Sequence, residues 1–334
     1  MTDPVLRVRE LGVRFGVDGP AAVDGLSYDV HPGETLGIVG ESGSGKTMAL
    51  RALLRLSPPN AVVTGRVLFG DRDLLQEPES AMAAVRGRTI AMVFQDPTTY
   101  FNPVLTVGAQ VAEAVRAHHR RTSRKAARQR AVDLLRRVGI PAAEHRCDQF
   151  PHEYSGGMRQ RAMIAMAIAN EPEILLADEP TTALDVTVQA QILDLLRVAQ
   201  EETGAATVLV THDLGVIAEI ADRVLVMYAG RAVEEAPVRS IFDSPGHPYT
   251  AALLASRPIL GDTLKRLRPI PGVIPAIGEL PPGCAFNPRC DLGRDDDRCR
   301  TVRPDLRTVV DGHSSACHHA EKLLDIMTTS GERA

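Results

Sequence analysis

The sequence predicts an α/β protein: a mostly parallel sheet flanked by helices, interrupted by a helical insert and followed by a small cysteine-bearing extension. Three observations lead there. Short apolar runs alternate with helical patterns, the arrangement of a parallel sheet covered on both faces. A glycine-rich stretch, "GESGSGKT" (Gly40–Thr47), joins a strand pattern to a helical one. From about Ser256 the chain turns rich in Pro and Gly, and four of its five cysteines fall between Cys284 and Cys317.

Taken in order, "VLRVRELGVRF" (Val5–Phe15) alternates like a strand, and "LSYDVHPGETLGIVG" (Leu26–Gly40) reads as a hairpin leading into a buried strand. "TIAMVF" (Thr89–Phe94), "EILLADE" (Glu173–Glu179) and "ATVLVTHD" (Ala206–Asp213) are short enough for central strands. "RVLVMYAGRAVEEA" (Arg223–Ala236) reads as two strands around a glycine turn, and helical patterns cover Thr47–Leu56, Val188–Glu202 and Gly215–Ala221. From about Asp96 to Asn170 the pattern is helical throughout, with Met158, Met163 and Met166 expected in its core. This insert carries a basic run, Arg116–Arg130. A solvated helix face or a contact to anionic lipid headgroups both fit it.

Composition narrows the function. Net charge is −4 and Trp is absent, so neither the basic excess nor the aromatic stacking of a nucleic-acid binder is present. The start "MTDPVLRVRE" has no apolar signal region, and no stretch reaches 18 consecutive apolar residues. The expectation is a soluble or peripheral protein.

"GESGSGKT" fits G-x-x-x-x-G-K-[ST] in its required strand-to-helix context. The backbone of Gly40, Glu41, Ser42, Gly43, Ser44 and Gly45 would curl its N–H groups toward phosphates at a helix N-terminus. Lys46 would supply positive charge to the β/γ-phosphates of ATP, and Thr47 a hydroxyl to Mg²⁺. "ILLADE" then ends an apolar strand on two carboxylates: Asp178 suits Mg²⁺, and Glu179 suits polarisation of the attacking water. Such general-base assistance is worth roughly 10²–10⁴-fold. At "EYSGGMRQR", Ser155 reads as an N-cap, and Gly156 and Gly157 expose amides at a second anion-binding helix start. One nucleotide does not need two such cradles from one chain, so the second is expected to serve a nucleotide held by another protomer.

Together, Gly40–Thr47, Gln95, Ser155–Gly157, Asp178–Glu179, Asp185 and His212 resemble the full motif set of an ATP-binding-cassette ATPase over about residues 5–250. The resemblance implies a P-loop (RecA-like) cassette with an antiparallel β subdomain and an inserted helical subdomain. It implies that Gln95 contacts Mg²⁺ and senses a membrane partner, and that Ser155, Gly156 and Gly157 clamp a γ-phosphate across a dimer. Asp185 would be the D-loop residue, His212 the switch histidine, and Phe15 an adenine stack, the alternative for Phe15 being a core side chain. The expected layout is 1–95 and 171–255 for the two parts of the RecA-like core (the first including the β subdomain), 96–170 for the helical subdomain and 256–334 for the extension. "YSGGMRQR", "MVFQDPTTYFNPVLTVGAQ" (Met92–Gln110) and "SPGHPYTAALLAS" (Ser244–Ser256) are similar to the dipeptide/oligopeptide importer subfamily, whose relatives also carry nickel, and in particular to its D-type subunit. "TTYF" (Thr98–Phe101) departs from that subfamily near the expected permease contact. The partners so implied are a second cassette subunit in a heterodimer, two membrane permeases and an extracytoplasmic binding protein, with this chain peripheral on the cytoplasmic membrane face and no nucleic acid bound. A nucleic-acid or ribosome-acting cassette protein would need two cassettes or a long coiled coil, and a non-hydrolytic one would lack Glu179.

The cysteines follow C-x₅-C-x₈-C-x₁₇-C from Cys284. That is neither the close-paired spacing of structural zinc nor a ferredoxin spacing. Spacing alone points to a metal without naming it, with His313, His318 and His319 as further ligand candidates. The subfamily resemblance implies a [4Fe–4S] cluster on Cys284, Cys290, Cys299 and Cys317, with zinc second. Cys147 stands apart and reads as structural.

Overall fold

The computed structural model describes residues 3–16, 18–182, 184–256 and 269–331. Residues 257–268, where the Pro-rich extension begins, and Ala183 of "TTALD" lie outside the described residues. In chain order the first elements are β1 (Leu6–Phe15), β2 (Ala21–Val30), β3 (Thr35–Val39), α1 (Lys46–Leu53), β4 (Ala61–Phe69), β5 (Arg72–Asp73), α2 (Glu79–Val85) and β6 (Ile90–Val93). The helical insert follows as α3 (Pro97–Tyr100), α4 (Val107–His118), α5 (Arg124–Arg137), α6 (Ala143–Arg146) and α7 (Gly156–Ala167). Then come β7 (Ile174–Asp178), α8 (Val186–Thr203), β8 (Ala206–Thr211), α9 (Leu214–Ile220), β9 (Arg223–Tyr228), β10 (Arg231–Pro237), α10 (Val238–Asp243) and α11 (Pro248–Ala255). The extension carries α12 (Asp297–Thr301), β11 (Arg307–Val310), β12 (His313–Ser315) and α13 (Ala320–Gly331).

The chain forms two compact bodies, each assembled from several segments. The first comprises Met1–Leu6, Val30–Thr35 and Phe69–Val210. Its sheet is parallel, with β7 between β6 and β8. All five β7 residues are buried, which is why the four before Asp178 are an apolar run rather than an alternation. In the insert, α4, α5 and α7 pack on one another, and Val111, Val115, Ala131, Leu135 and Ile164 of these helices are buried. Burying each large side chain stabilises by about 1.5–3 kcal/mol. The side chains of Thr106, Ser123 and Ser155 cap these helices, accepting from the amides of Ala109, Ala126 and Met158 at 3.3, 3.2 and 3.3 Å. Of the three methionines expected in this core, Met163 is buried, whereas Met158 and Met166 are half-buried. The first turn of α7 leaves one of its faces toward solvent. In the basic run, Arg128 pairs with Asp148 at 2.7 Å and Arg130 with Glu171 at 2.9 Å, both exposed.

The second body comprises Arg7–Asp29, Leu36–Leu68 and Thr211–Ala334. Here β1 lies between β2 and β4. The β1–β2 connection is a tight reversal, with the Phe15 amide donating to Pro20 O at 3.3 Å. A second group of strands has β3 parallel to β9, β9 antiparallel to β10, and β10 antiparallel to β12, which pairs with β11. Two expectations change. Leu26–Gly40 is not a hairpin, because β2 and β3 belong to different sheets. The buried strand expected at its end is present, every residue of "TLGIV" being buried, but β3 pairs in parallel with β9 instead of folding back on β2. The extension also carries strands of its own, and Glu234 and Glu235 of β10 pair with Ser315 and Ser314.

Candidate nucleotide site and four-cysteine centre

In the second body, β3 ends at Val39 and α1 begins at Lys46, so Gly40–Gly45 form the turn between them. Gly45 has φ +97°, and a Cβ there would sit 2.4 Å from Ala22 O. Only glycine fits both the left-handed backbone and the close approach. The amide of Ser44 donates to Glu41 O at 3.2 Å, and that of Gly230 donates to Ser44 O at 2.9 Å, which fixes the curl. Lys46 is buried at the helix start and its ammonium donates to Gly40 O at 2.7 Å and Glu41 O at 3.0 Å. Thr47 follows in the first turn of α1, and Phe15, at the end of β1, is half-buried rather than a core residue. His212 lies just past β8 and is exposed, beside Asp213, whose carboxylate caps α9 through the Gly215 amide at 2.7 Å.

In the first body, β7 delivers Asp178 fully buried at its end. Glu179 follows with φ +45°, a left-handed backbone rare for a residue bearing Cβ. Its amide donates to Val210 O at 2.8 Å. Its carboxylate accepts from Thr182 Oγ1 at 2.8 Å and from Gln95 Nε2 at 3.1 Å. The structure thus brings together Gln95 and Glu179, two residues the sequence separates by 84 positions. Ser155 is the N-cap of α7, and Gly156 and Gly157 are its first two residues, so their amides stand at a helix start. Asp185 caps α8, accepting from the Val188 amide at 2.9 Å.

Cys284, Cys290, Cys299 and Cys317 line one small enclosed cavity in the second body, with Phe286, Leu292, His318 and His319 around it. Cys290, Cys299 and Cys317 are buried and Cys284 is half-buried. Burial pushes the Cys299 thiol up to about 11 and that of Cys317 up to about 12, and each is raised further by the other cysteines facing it. The amides of Gly293 and His319 donate to the sulfurs of Cys290 and Cys317, both at 3.3 Å. Four thiols lining one small cavity, with N–H groups aimed at two of them, fit a metal centre: a cationic metal taking the place of the thiol protons would offset the repulsion among the thiolates so formed. Among the described residues, the set close enough for one ion is Asp296, Cys299 and His319, and His319 Nε2 sits 2.7 Å from Asp296 Oδ2. His313 is committed elsewhere, since its Nε2 lies 2.7 Å from the fully buried Glu234 carboxylate. Cys147 lies in the first body, buried.

Sequence reading missed one set of contacts around the glycine turn. Arg289, beside Cys290, forms a bidentate pair with Glu41 at 2.8 and 3.1 Å. Tyr249 Oη accepts from the Glu41 amide at 2.8 Å. Nothing in the sequence singles Arg289 out, because the tail carries several other arginines, among them Arg294, Arg298, Arg300, Arg303 and Arg307.

An α/β core with a glycine turn opening a helix at Gly-Lys-Thr, a strand ending in Asp-Glu and a helix opened by Ser-Gly-Gly defines an ATP-binding cassette. The structure is similar to the dimeric bacterial ABC transporter cassette MJ0796, with a TM-score of 0.63 and 29% identity, covering 70% of this chain and 99% of that one. A post-hydrolysis structure of the same cassette bound to ADP and Pi gives 0.62 and 28%, over 70% and 99%. The profile for ABC transporters matches residues 23–182, and that for the C-terminal region of oligopeptide/dipeptide transporters matches 233–299. The dipeptide transport ATP-binding protein DppD of Escherichia coli is 47% identical over 94% of this chain and 96% of its own. The oligopeptide transport ATP-binding protein OppD of Mycobacterium tuberculosis is 51% identical over 95% of this chain and 52% of its own, so this chain spans about half the length of that relative. The chain belongs to the family of ATP-binding proteins of oligopeptide and dipeptide ABC transporters.

Proposed function

We propose that this chain is the ATP-hydrolysing subunit of a di- or oligopeptide importer. The observation that carries hydrolysis is Glu179: a carboxylate at a strand end, on strained backbone, oriented by Thr182 and Gln95. Strain of this kind collects where a side chain must be aimed. In this reading Lys46 and the amides of Gly40–Gly45 take the phosphates, Thr47, Asp178 and Gln95 serve Mg²⁺, and Phe15 stacks on adenine. Bound Mg²⁺ supplies charge neutralisation at the transferred phosphate. Glu179 accepts a proton from the attacking water, and His212 serves the γ-phosphate. Ser155, Gly156, Gly157 and Asp185 act on the nucleotide of a second cassette subunit, so closure of the pair moves two attached permeases. The exposed side chains of Tyr100 and Val104, just after Gln95, support a permease contact, Val104 being 75% exposed. No described helix is long and apolar enough to cross a membrane, which accords with a peripheral subunit on the cytoplasmic face. Peptide as cargo rests on the names of the relatives; an extracytoplasmic binding protein selects it, and nickel or another small solute is the alternative cargo.

We further propose the four cysteines as ligands of a [4Fe–4S] cluster. What supports this reading is that all four cysteines line one cavity, together with the subfamily resemblance; zinc is the second choice, and Asp296, Cys299 and His319 lie close enough to hold a single ion. The four-part layout (1–95, 96–170, 171–255, 256–334) is retained as the functional division.

The test of hydrolysis is Glu179→Gln. It should keep ATP affinity, trap a cassette dimer and lose at least about 10²-fold in turnover; near-normal hydrolysis would refute the assignment. Lys46→Ala should abolish nucleotide binding. Co-purification with permeases, and no stimulation by DNA or RNA, separates the importer from a nucleic-acid ATPase.

A further inference from the structure

We propose that Arg289 is a positioning residue for the phosphate loop: the cysteine-bearing extension grips Glu41 and thereby sets nucleotide affinity. The proposal rests on the ATP-site reading above.

Glu41 is the second residue of the glycine turn and is held at two points. Its carboxylate takes both Nη1 and Nη2 of Arg289, at 2.8 and 3.1 Å, in the fork-to-fork geometry that fixes orientation as well as charge. Its amide donates to Tyr249 Oη at 2.8 Å. Its carbonyl, 3.0 Å from Lys46 Nζ, in turn orients the lysine. Arg289 is itself built in, its side chain only 5% exposed. Nε donates to Pro271 O at 2.8 Å and Nη1 to Tyr228 Oη at 3.3 Å. The guanidinium lies 5.8 Å from the centre of the Tyr228 ring and 5.9 Å from that of Phe286. These rings and Tyr249 form one aromatic cluster, with centroids 4.6–5.4 Å apart.

The backbone turn that carries Arg289 belongs to the cysteine segment. The Cys284 amide donates to Cys299 O at 2.8 Å, and Asn287 Nδ2 donates to Gly293 O at 2.6 Å. Arg289 therefore links that segment to the loop. Two consequences follow at a phosphate site. An unneutralised Glu41 carboxylate repels the anionic nucleotide, an effect that low dielectric enlarges. A Glu41 freed from the fork also frees the carbonyls that orient Lys46. Both act on binding of ATP rather than on transfer of its phosphate.

The experiment uses the full chain and measures the Kd of a fluorescent ATP analogue, KM and kcat for ATP, and the thermal midpoint. The variants are Arg289→Ala, Arg289→Lys, Glu41→Gln and the double variant Arg289→Ala/Glu41→Gln. Arg289→Ala should raise Kd and KM about tenfold, more than it lowers kcat. Arg289→Lys should recover part of that loss, because it returns the charge but not the fork. The double variant should bind ATP more tightly than Arg289→Ala alone, since the stranded carboxylate is gone. Arg289→Ala binding like the parent chain overturns the proposal. So does a double variant no better than Arg289→Ala, the outcome of a merely structural role. Should Arg289→Ala fail to fold, Arg289→Lys carries the test, and an unchanged Kd there overturns it. Failure of the parent chain to bind ATP would instead sink the nucleotide-site reading.

Discussion

Glu179 sits with φ +45° at the end of a buried strand. Left-handed backbone at a residue bearing Cβ costs of order 1–3 kcal/mol, so the surrounding contacts must hold it there. One of them is testable without touching the carboxylate. Thr182 Oγ1 donates to Glu179 Oε2 at 2.8 Å. Thr182→Val keeps the shape and removes the donor. We expect kcat to fall by about 3–10-fold, the net worth of one ordinary hydrogen bond, with ATP affinity near that of the parent. Steady-state ATPase assays at saturating ATP check this. Gln95→Ala removes the second donor, at 3.1 Å, and should add to that loss less than proportionally, because both act on one carboxylate.

Among the elements, α4 meets the α6 segment through a bare backbone contact. A Cβ on Gly108 would lie 1.9 Å from Cys147 Sγ and 2.5 Å from Cys147 O, and the Gly108 amide donates to that same carbonyl at 2.9 Å. Gly108→Ala should destabilise by about 1–3 kcal/mol through overpacking, read as a lower urea midpoint with an unchanged slope. Nothing in the sequence pattern around "LTVGAQ" announces that approach, because the partner cysteine is nearly forty residues on. The elements legible in the sequence are those whose pattern follows directly from burial: β6, β7 and β8 come from short, largely apolar stretches, and Ser155 caps its helix where side-chain chemistry says it should. Leu26–Gly40 was misread because a turn rich in Pro and Gly looks the same whether the strands beside it pair or part. The strands β11 and β12 were missed because they are only four and three residues long. Arg289 and Glu41, 248 positions apart, are joined by tertiary folding alone.

For the molecule as a whole, the metal content of the extension is the measurement that sorts the remaining readings. Anaerobically purified protein should carry about four irons and four sulfides per chain with broad visible absorbance. One zinc per chain would favour the site at Asp296, Cys299 and His319 instead. Cys317→Ser should lose the metal, and limited proteolysis should then cut the extension first, because a metal ligand set is also part of what folds a small segment. Apart from any metal, the extension is tied to β10 and the segment after it: Ser315 Oγ donates to Gly246 O at 2.8 Å, and the buried Glu234 carboxylate receives the His247 amide at 3.1 Å together with the His313 ring.

That last contact also orders events in time. The ribosome makes Glu234 79 residues before His313. While the nascent chain grows, β10 has an open edge and Glu234 lacks one of its partners, a costly arrangement for a carboxylate destined to be fully buried. The second body is therefore expected to reach its final protease resistance only after its last strand has left the exit tunnel, however early its glycine turn has formed.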